Sequence, residues 1–392
     1  MRSVELFAGA GGLAMGISNA GFRHEAVVEW NADACNTIRG NQRNRVSAVS
    51  DWPLFQADVR KFDYSFLPEG IDLLAGGPPC QPFSLAGKHR GSTDERNMFP
   101  EAIRAVRELK PRAIMIENVK GLLRQSFAKY FEYITLQLSY PEIKLKNGED
   151  WTSHLSRLEQ YHTRGRHDGL FYRVVFRLLN AADHGVPQRR ERVVIVGFRS
   201  DIQTEWSFPS PTHSQDPLIK SQWVTGEYWD RHKVAQKGRP AQPDKLASRI
   251  DRLRFLNEQP ECKPWVTVRD AISGLPDVTE RGRSNKLVNH VFVPGARVYT
   301  GHTGSPLDEP AKTLKAGDHG VPGGENMLAY PDGKVRYFTI RESARLQTFP
   351  DEFIFPGSWS EAMRQLGNAV PVTLGQVVAE NIKACLIKSK AN

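Results

Sequence analysis

The stretch IDLLAGGPPCQPFS at 71–84 joins a mostly apolar run, Ile71 to Ala75, to a turn in which glycines and prolines crowd one cysteine, Cys80. The apolar run reads as a strand and the turn as the loop leaving its carboxyl end. In open α/β sheets that edge gathers ligands and catalytic groups, because the sheet holds steady the loops that vary there. A nucleophile on a rigid turn is therefore the first reading of Cys80; a buried packing cysteine is the bland alternative. A second apolar run, 113–116, leads into IENV at 116–119. Two parallel strands would bring Cys80 and Glu117 to one edge, although Glu117 alone would read equally well as a salt-bridged surface residue.

Outward from this point, 1–200 alternates short apolar runs with helical patterns. Strands are predicted at 3–7, 25–29, 71–75, 113–117, 172–178 and 193–198, and helices at 13–20 and 99–109, the second stopping before Pro111. The alternation implies βαβ units and an α/β fold with a mainly parallel sheet. The stretch 144–168 is polar and lacks periodicity, so it reads as an insertion or loop. After Arg199 the prolines at 209, 211, 217, 240 and 243 replace the alternation, which places a smaller irregular domain at 201–335. Thr339 to Glu342 and Ser358 to Glu361 then fit the S/T-x-x-E capping box, and an amphipathic helix runs from about 372 to 387.

The chain has 392 residues, enough for two domains, and a formal charge of +9. A basic excess suits a polyanionic partner such as nucleic acid or a membrane surface, and equally a plain basic enzyme. It is unevenly spread: 201–335 holds 18 Lys plus Arg against 17 Asp plus Glu, so only +1 lies there. Cys35, Cys80, Cys262 and Cys385 are far apart without CxxC spacing, which indicates neither a disulfide framework nor a metal site. No run of 18 apolar residues and no signal-peptide core is seen, and the expectation is a cytoplasmic protein.

FAGAGG at 7–12 follows a strand and opens a helix, where glycines let the backbone pass close to a ligand. Gly9, Gly11 and Ala14 satisfy G-x-G-x-x-A, and Glu29 stands twenty residues after Gly9, as in a dinucleotide fold. Glu29 suits two ribose hydroxyls whichever nucleotide-bearing cofactor is bound.

Six blocks, VELFAGAGGL (4–13), GGPPCQPFS (76–84), IENV (116–119), QRRERV (188–193), RESARLQTFPD (341–351) and GNAVPV (367–372), resemble the DNA (cytosine-5) methyltransferases of bacterial modification systems, in the family's order. They cover roughly the first 200 and last 60 residues. The resemblance implies a Rossmann-like catalytic domain at 1–200, a target-recognition domain at 201–335, and a segment at 336–392 that returns to the catalytic domain. It implies S-adenosylmethionine, leaving as S-adenosylhomocysteine, and no metal. Phe7 would lie against the adenine, with Ala8, Gly9, Gly11, Gly12 and Leu13 forming the loop. Glu29 would hold the ribose, Asp58 would accept from the adenine amino group, and Trp30, Val59, Pro79, Asn368 and Ala369 would line the pocket.

By the same resemblance Cys80 attacks carbon 6 of cytosine and Glu117 acts as the acid at ring nitrogen 3. Arg192 contacts the base with Arg190 in support; alternation along a strand would put both arginines on one side. The target base must leave the duplex to be reached. Gln81, Ser84, Lys88 and Arg90, in the loop after Cys80, and Thr313 and Leu314, in EPAKTLKAGDHG, are the DNA-contact candidates, with Arg281, Arg283, Asn285 and Lys286 beside them. Arg341 and Glu342 read as scaffold. Double-stranded DNA is the implied partner of a monomeric, bacterial or phage-encoded enzyme, with a restriction endonuclease acting at the same site. An NAD enzyme would leave GGPPCQPFS and QRRERV unexplained. An RNA cytosine methyltransferase would share the chemistry, and a silent DNA-binding module would not need Cys80 and Glu117 intact.

Overall fold

The structure, a computed structural model, describes all residues except 80–96, 166, 204, 256–260, 279–286, 318–323 and 392. The chain forms two compact units. One comprises Met1–Leu179, Glu191–Pro209 and Leu374–Asn392, and the other Asn180–Arg190 and Ser210–Thr373.

The first unit is built on a seven-stranded sheet. Its strands are β1 (Arg2–Leu6), β2 (Arg23–Glu29), β3 (Leu54–Gln56), β4 (Leu73–Gly76), β5 (Ala113–Val119), β6 (Tyr172–Asn180) and β7 (Glu191–Arg199), in the order β3-β2-β1-β4-β5-β7-β6. The pairs β1–β2, β2–β3, β1–β4 and β4–β5 are parallel and β5–β7 is antiparallel, so the mainly parallel α/β sheet expected from the sequence is the one that forms. β4 is buried throughout and β5 nearly so, which is why both read as continuous apolar runs rather than as alternating ones. Successive strands step outward in opposite directions from β1 and β4, making their carboxyl ends the switch point where such sheets hold ligands. Gly76 is obligatory there: a Cβ would stand 2.7 Å from the Leu6 carbonyl oxygen on β1.

Helices α1 (Gly12–Asn19), α2 (Ala32–Arg43), α3 (Phe99–Leu109), α4 (Ala128–Ser139) and α5 (Trp151–Thr163) join these strands. α5 corrects the reading of 144–168 as a loop. Asp150 caps it by accepting from the amides of Thr152 and Ser153, and Trp151, Leu155 and Leu158 supply a sparse i, i+4, i+7 stripe. Its buried His154 meets the Tyr133 hydroxyl of α4 at 2.8 Å.

Among the described residues the second unit carries only short strands, β8 (His213–Ser214) with β9 (Lys263–Pro264), and β10 (Ser305–Pro306), β11 (Met327–Ala329) and β12 (Val335–Tyr337). Its helices are α6 (Gln215–Trp223), α7 (Glu227–Arg231), α8 (Ala247–Phe255), α9 (Val268–Ile272), α10 (Ile340–Leu346) and α11 (Trp359–Asn368). The sequence reading starts the returning segment at 336, yet 336–373 belongs to this unit. Buried polar contacts hold it there: Arg336 pairs with Glu342 at 2.6 Å, and Gln188 donates to the Leu346 carbonyl. Thr339 and Glu342 form a reciprocal capping box on α10. On α11 Ser358 accepts from the Glu361 amide, while the Glu361 carboxylate turns to Arg364 and Gln365. Arg341 is buried and donates to the Pro350 and Phe353 carbonyls, a scaffold role.

The chain returns to the first unit within α12 (Val372–Ala391). There Gly375 packs against Leu13, and Lys383 donates to the Ala20 carbonyl at the end of α1. The span Trp359–Ser389 has the length and apolarity of a membrane helix, but it is two helices interrupted at Pro371.

Candidate active site

The loop between β1 and α1 turns through positive φ at Phe7 (59°), Gly9 (56°) and Gly11 (88°). Phe7 is the costly member of this set, since a side chain seldom accepts that region. The loop is held from outside. The Glu29 carboxylate, at the end of β2 and 7 % exposed, accepts from the Gly9 amide on Oε2 and from the Asn31 amide on Oε1, both at 2.7 Å. A carboxylate offers about four lone-pair sites, so two amides leave acceptor capacity for hydroxyl groups. A Cβ on Gly9 would meet nothing within 4 Å, so the space over the loop is open. Gly12 and Leu13 open α1, whose Gly11 cap supplies no side chain to the first amides.

Other candidates for the cofactor fall into three groups. Trp30 projects with 70 % exposure beyond Glu29, and Pro79 is exposed after β4. Ala8, Leu13 and Val59 are buried, so their side chains serve the core and only their backbone can face a ligand. Asp58 caps a single turn at Val59–Lys61, and its carboxylate is gripped by Arg60, with Nη2 at 2.6 Å, which holds it below the usual carboxylate range. Asn368 is exposed at the end of α11 and Ala369 buried beside it, both in the second unit.

Across the same sheet edge, β5 and β7 place Val119 opposite Arg192. The Arg192 Nε meets Glu117 Oε1 at 2.7 Å, and both residues are almost fully buried. Burial pulls the Arg192 guanidinium below its ordinary pKa, and the Glu117 charge works in the opposite direction. Glu117 Oε2 faces Gly77, where a Cβ would stand 3.1 Å away. Buried Asn118 donates from Nδ2 to the Pro78 carbonyl at 3.0 Å, tying the end of β5 to the turn that follows β4. Sequence reasoning gave Asn118 no role; an amide between two strand-end motifs was the available signal. Cys80, Gln81, Ser84, Lys88 and Arg90, with Arg281, Arg283, Asn285 and Lys286, lie outside the described residues.

Three expectations change. Arg190 precedes β7, is 0 % exposed and donates to the Leu314 and Gly367 carbonyls at 2.9 and 2.7 Å, so it clamps the second unit instead of standing beside Arg192. Leu314 is buried, with its amide donating to Gln188 Oε1, and the Thr313 hydroxyl donates to the Arg189 carbonyl. These two residues fasten the 309–317 stretch to the segment before β7, and Leu314 has no surface to offer a DNA groove. Among the described residues no group of three His, Cys, Asp or Glu side chains is placed to hold a metal ion.

A model of the C-5 cytosine-specific DNA methylase family matches residues 1–141 and 150–384. The type II methyltransferase M.NgoMIV of Neisseria gonorrhoeae is 32 % identical over 395 residues, covering 98 % of both chains. The type II methyltransferase M.PspPI of a Psychrobacter strain is 31 % identical, over 97 % of this chain and 78 % of its own. Among solved structures, the Schizosaccharomyces pombe methyltransferase Dnmt2 superposes with a TM-score of 0.53 at 18 % identity, covering 100 % of this chain and 99 % of that one, a likeness of fold alone.

Proposed function

The chain belongs to the C-5 cytosine-specific DNA methylase family, and from that premise we propose that it methylates carbon 5 of a cytosine within one short DNA sequence, through a covalent bond from Cys80 to carbon 6. The observation that carries this reading is the buried Glu117–Arg192 pair at the carboxyl end of β5, tied through Asn118 to the turn two residues before Cys80.

Carbon 5 of cytosine is a poor nucleophile in an aromatic ring. Thiolate attack at carbon 6 breaks the aromaticity and moves electron density toward carbon 5 and ring nitrogen 3. Glu117 is the group to meet that charge. Its Oε1 is committed to Arg192, so Oε2, on the Gly77 side, shares the proton with nitrogen 3. Arg192 fixes the carboxylate and, with donors in a rigid plane, suits the cytosine carbonyl. After the transfer a base takes the carbon 5 hydrogen, and the sulfur–carbon bond breaks to free Cys80.

The residues around the glycine loop fit S-adenosylmethionine: an open surface at Gly9, a carboxylate with spare lone pairs at Glu29 for ribose hydroxyls, uncapped amides opening α1 for a carboxylate, and an exposed Trp30 for the pocket wall. When bound, that cofactor supplies an electrophilic methyl group on a sulfonium. Phe7, half-buried in the same loop, lies against the adenine, with Asp58 available to the adenine amino group once Arg60 yields. The buried base-flipping chemistry requires the cytosine to leave the duplex, since a pocket at a sheet edge cannot reach a stacked base. The charge excess outside 201–335 supports phosphate contact by the catalytic half and base reading by the smaller one. The names of the relatives, type II methyltransferases of bacteria, support a type II modification role; in our reading the protein acts in the cytoplasm of a bacterium, or as a phage-encoded enzyme, as a monomer at the site of a partner endonuclease.

The test is base-resolution mapping of 5-methylcytosine in a methylation-free host expressing this protein or its Cys80→Ala variant. Methylation at one recurring sequence, absent in the variant, is expected. An unmodified genome from folded, cofactor-binding protein would overturn the DNA reading and favour RNA as substrate.

A further inference from the structure

Outside the six sequence blocks, an aromatic side chain reaches the glycine loop at Gly11. Trp52, in the segment between α2 and β3, is 5 % exposed. A Cβ on Gly11 would lie only 2.7 Å from its Cζ3 and 3.0 Å from its Cη2, so the indole edge fills the space that the missing side chain leaves. The indole Nε1 donates to Ser18 Oγ on α1 at 3.0 Å. The ring also stands edge-on to His24 of β2, at 5.3 Å between centroids and 81° between planes. His24 in turn meets the Ala14 carbonyl of α1 at 2.9 Å and Ser3 Oγ of β1 at 3.0 Å. The backbone carrying the indole is fixed as well, since Gln42 on α2 donates to the Trp52 and Val49 carbonyls.

One side chain therefore contacts the loop, the helix that follows it and the strand that carries Glu29. A loop of glycines has no side chains with which to hold its own shape, and each glycine adds conformational freedom that binding must remove. Gly11 is left-handed at φ 88°, one of several conformations open to glycine, and its neighbours select it. We infer that Trp52 is a positioning residue for the cofactor: its ring braces Gly11 and α1 so that the Gly9 amide and Glu29 keep the geometry that accepts S-adenosylmethionine. The inference rests on the assignment of this loop to that cofactor. A pre-formed loop binds more tightly because less freedom is lost on binding.

The experiment is calorimetric titration of the full-length protein, without DNA, using S-adenosylhomocysteine. Trp52→Ala is expected to weaken binding by about tenfold or more, whereas Trp52→Phe, which keeps a ring against Gly11, stays within about threefold of wild type. Ile134→Ala on α4, a fully buried truncation in the same unit, is the control. It lowers melting temperature without changing cofactor affinity, so a general loss of stability cannot imitate the expected pattern. In turnover, Trp52→Ala raises KM for the cofactor and leaves KM for DNA near wild type. Wild-type affinity in folded Trp52→Ala, or an equal loss in Ile134→Ala, would overturn the inference. If Trp52→Ala does not fold, Trp52→Leu takes its place: it keeps apolar bulk without the ring edge, and full affinity there overturns the inference too. Failure of the wild type itself to bind S-adenosylhomocysteine would remove the cofactor assignment.

Discussion

Replacing Arg192 by methionine tests how the candidate site holds its carboxylate. Arg192 and Glu117 are 9 % and 8 % exposed, and a 2.7 Å contact joins them. With so little water available, removing the cation leaves Glu117 as a buried charge without that partner, a change that costs roughly 3–5 kcal/mol. Methionine approximates the volume of the arginine stem, so little of that loss comes from packing. For a unit of this size, about 2–4 °C accompany each kcal/mol, so the melting temperature should drop by roughly 6–20 °C. Glu117→Gln in the same background removes the carboxylate charge, and the double variant should recover about 2–3 kcal/mol of the loss, measured by urea titration as a double-mutant cycle. It should still be unable to methylate DNA, because the acid is gone. Additivity of the two single changes within about 0.5 kcal/mol would refute the argument, since it would mean that the two charges do not depend on one another.

Three further outcomes are expected. Gly77→Ala puts a methyl 3.1 Å from Glu117 Oε2, and should lower kcat by about tenfold or more with cofactor affinity unchanged, as single-turnover methylation would show. Gly367→Ala is more severe: the added carbon would stand 2.2 Å from the Ala316 amide nitrogen, so loss of soluble protein or a melting point lowered by about 5 °C or more is expected from thermal scanning. His24 is buried, and its pKa is lowered to about 4, chiefly by desolvation. A His neutral in the fold and titrating near 6.5 when unfolded stabilises fully above pH 6.5 and loses that contribution as pH falls toward 4, here up to about 3 kcal/mol. His24→Asn should flatten stability between pH 6.5 and 4 in urea titrations, and an unchanged slope would show that other groups set it.

The sequence disclosed the parts of the fold whose burial is complete. β4 and β5 were readable because both faces are covered and each carries an unbroken apolar run, Leu73–Ala75 and Ala113–Ile116. α5 was missed because only Trp151, Leu155 and Leu158 mark its inner face and polar residues fill the rest. β3 was missed because three residues carry no period. In the site, Glu29 and Glu117 were legible as carboxylates closing apolar strands, where a charge invites explanation. Asn118 and Trp52 were not: their parts depend on a backbone carbonyl at Pro78 and a bare Gly11, and a spatial contact between distant segments leaves no mark on local composition.

The QRRERV block shows how far spacing can mislead when a strand boundary intervenes. Alternation put Arg190 and Arg192 on one side because two-residue spacing does so within a strand. β7 begins at Glu191, however, and the chain passes from the second compact unit to the first between Arg190 and Glu191. Each arginine therefore answers to a different set of acceptors. Arg190 meets neutral carbonyls of its own unit, Leu314 and Gly367, where a planar fork can bridge two loops. Arg192 meets a carboxylate at the sheet edge. Lysine could keep one carbonyl contact at 190 but not two in a fixed plane, so Arg190→Lys should weaken the second unit while leaving the Glu117–Arg192 pair in place. The same substitution at 192 keeps the charge and gives up the directed Nε–H contact. The two positions are thus separable by chemistry although they are neighbours in the chain.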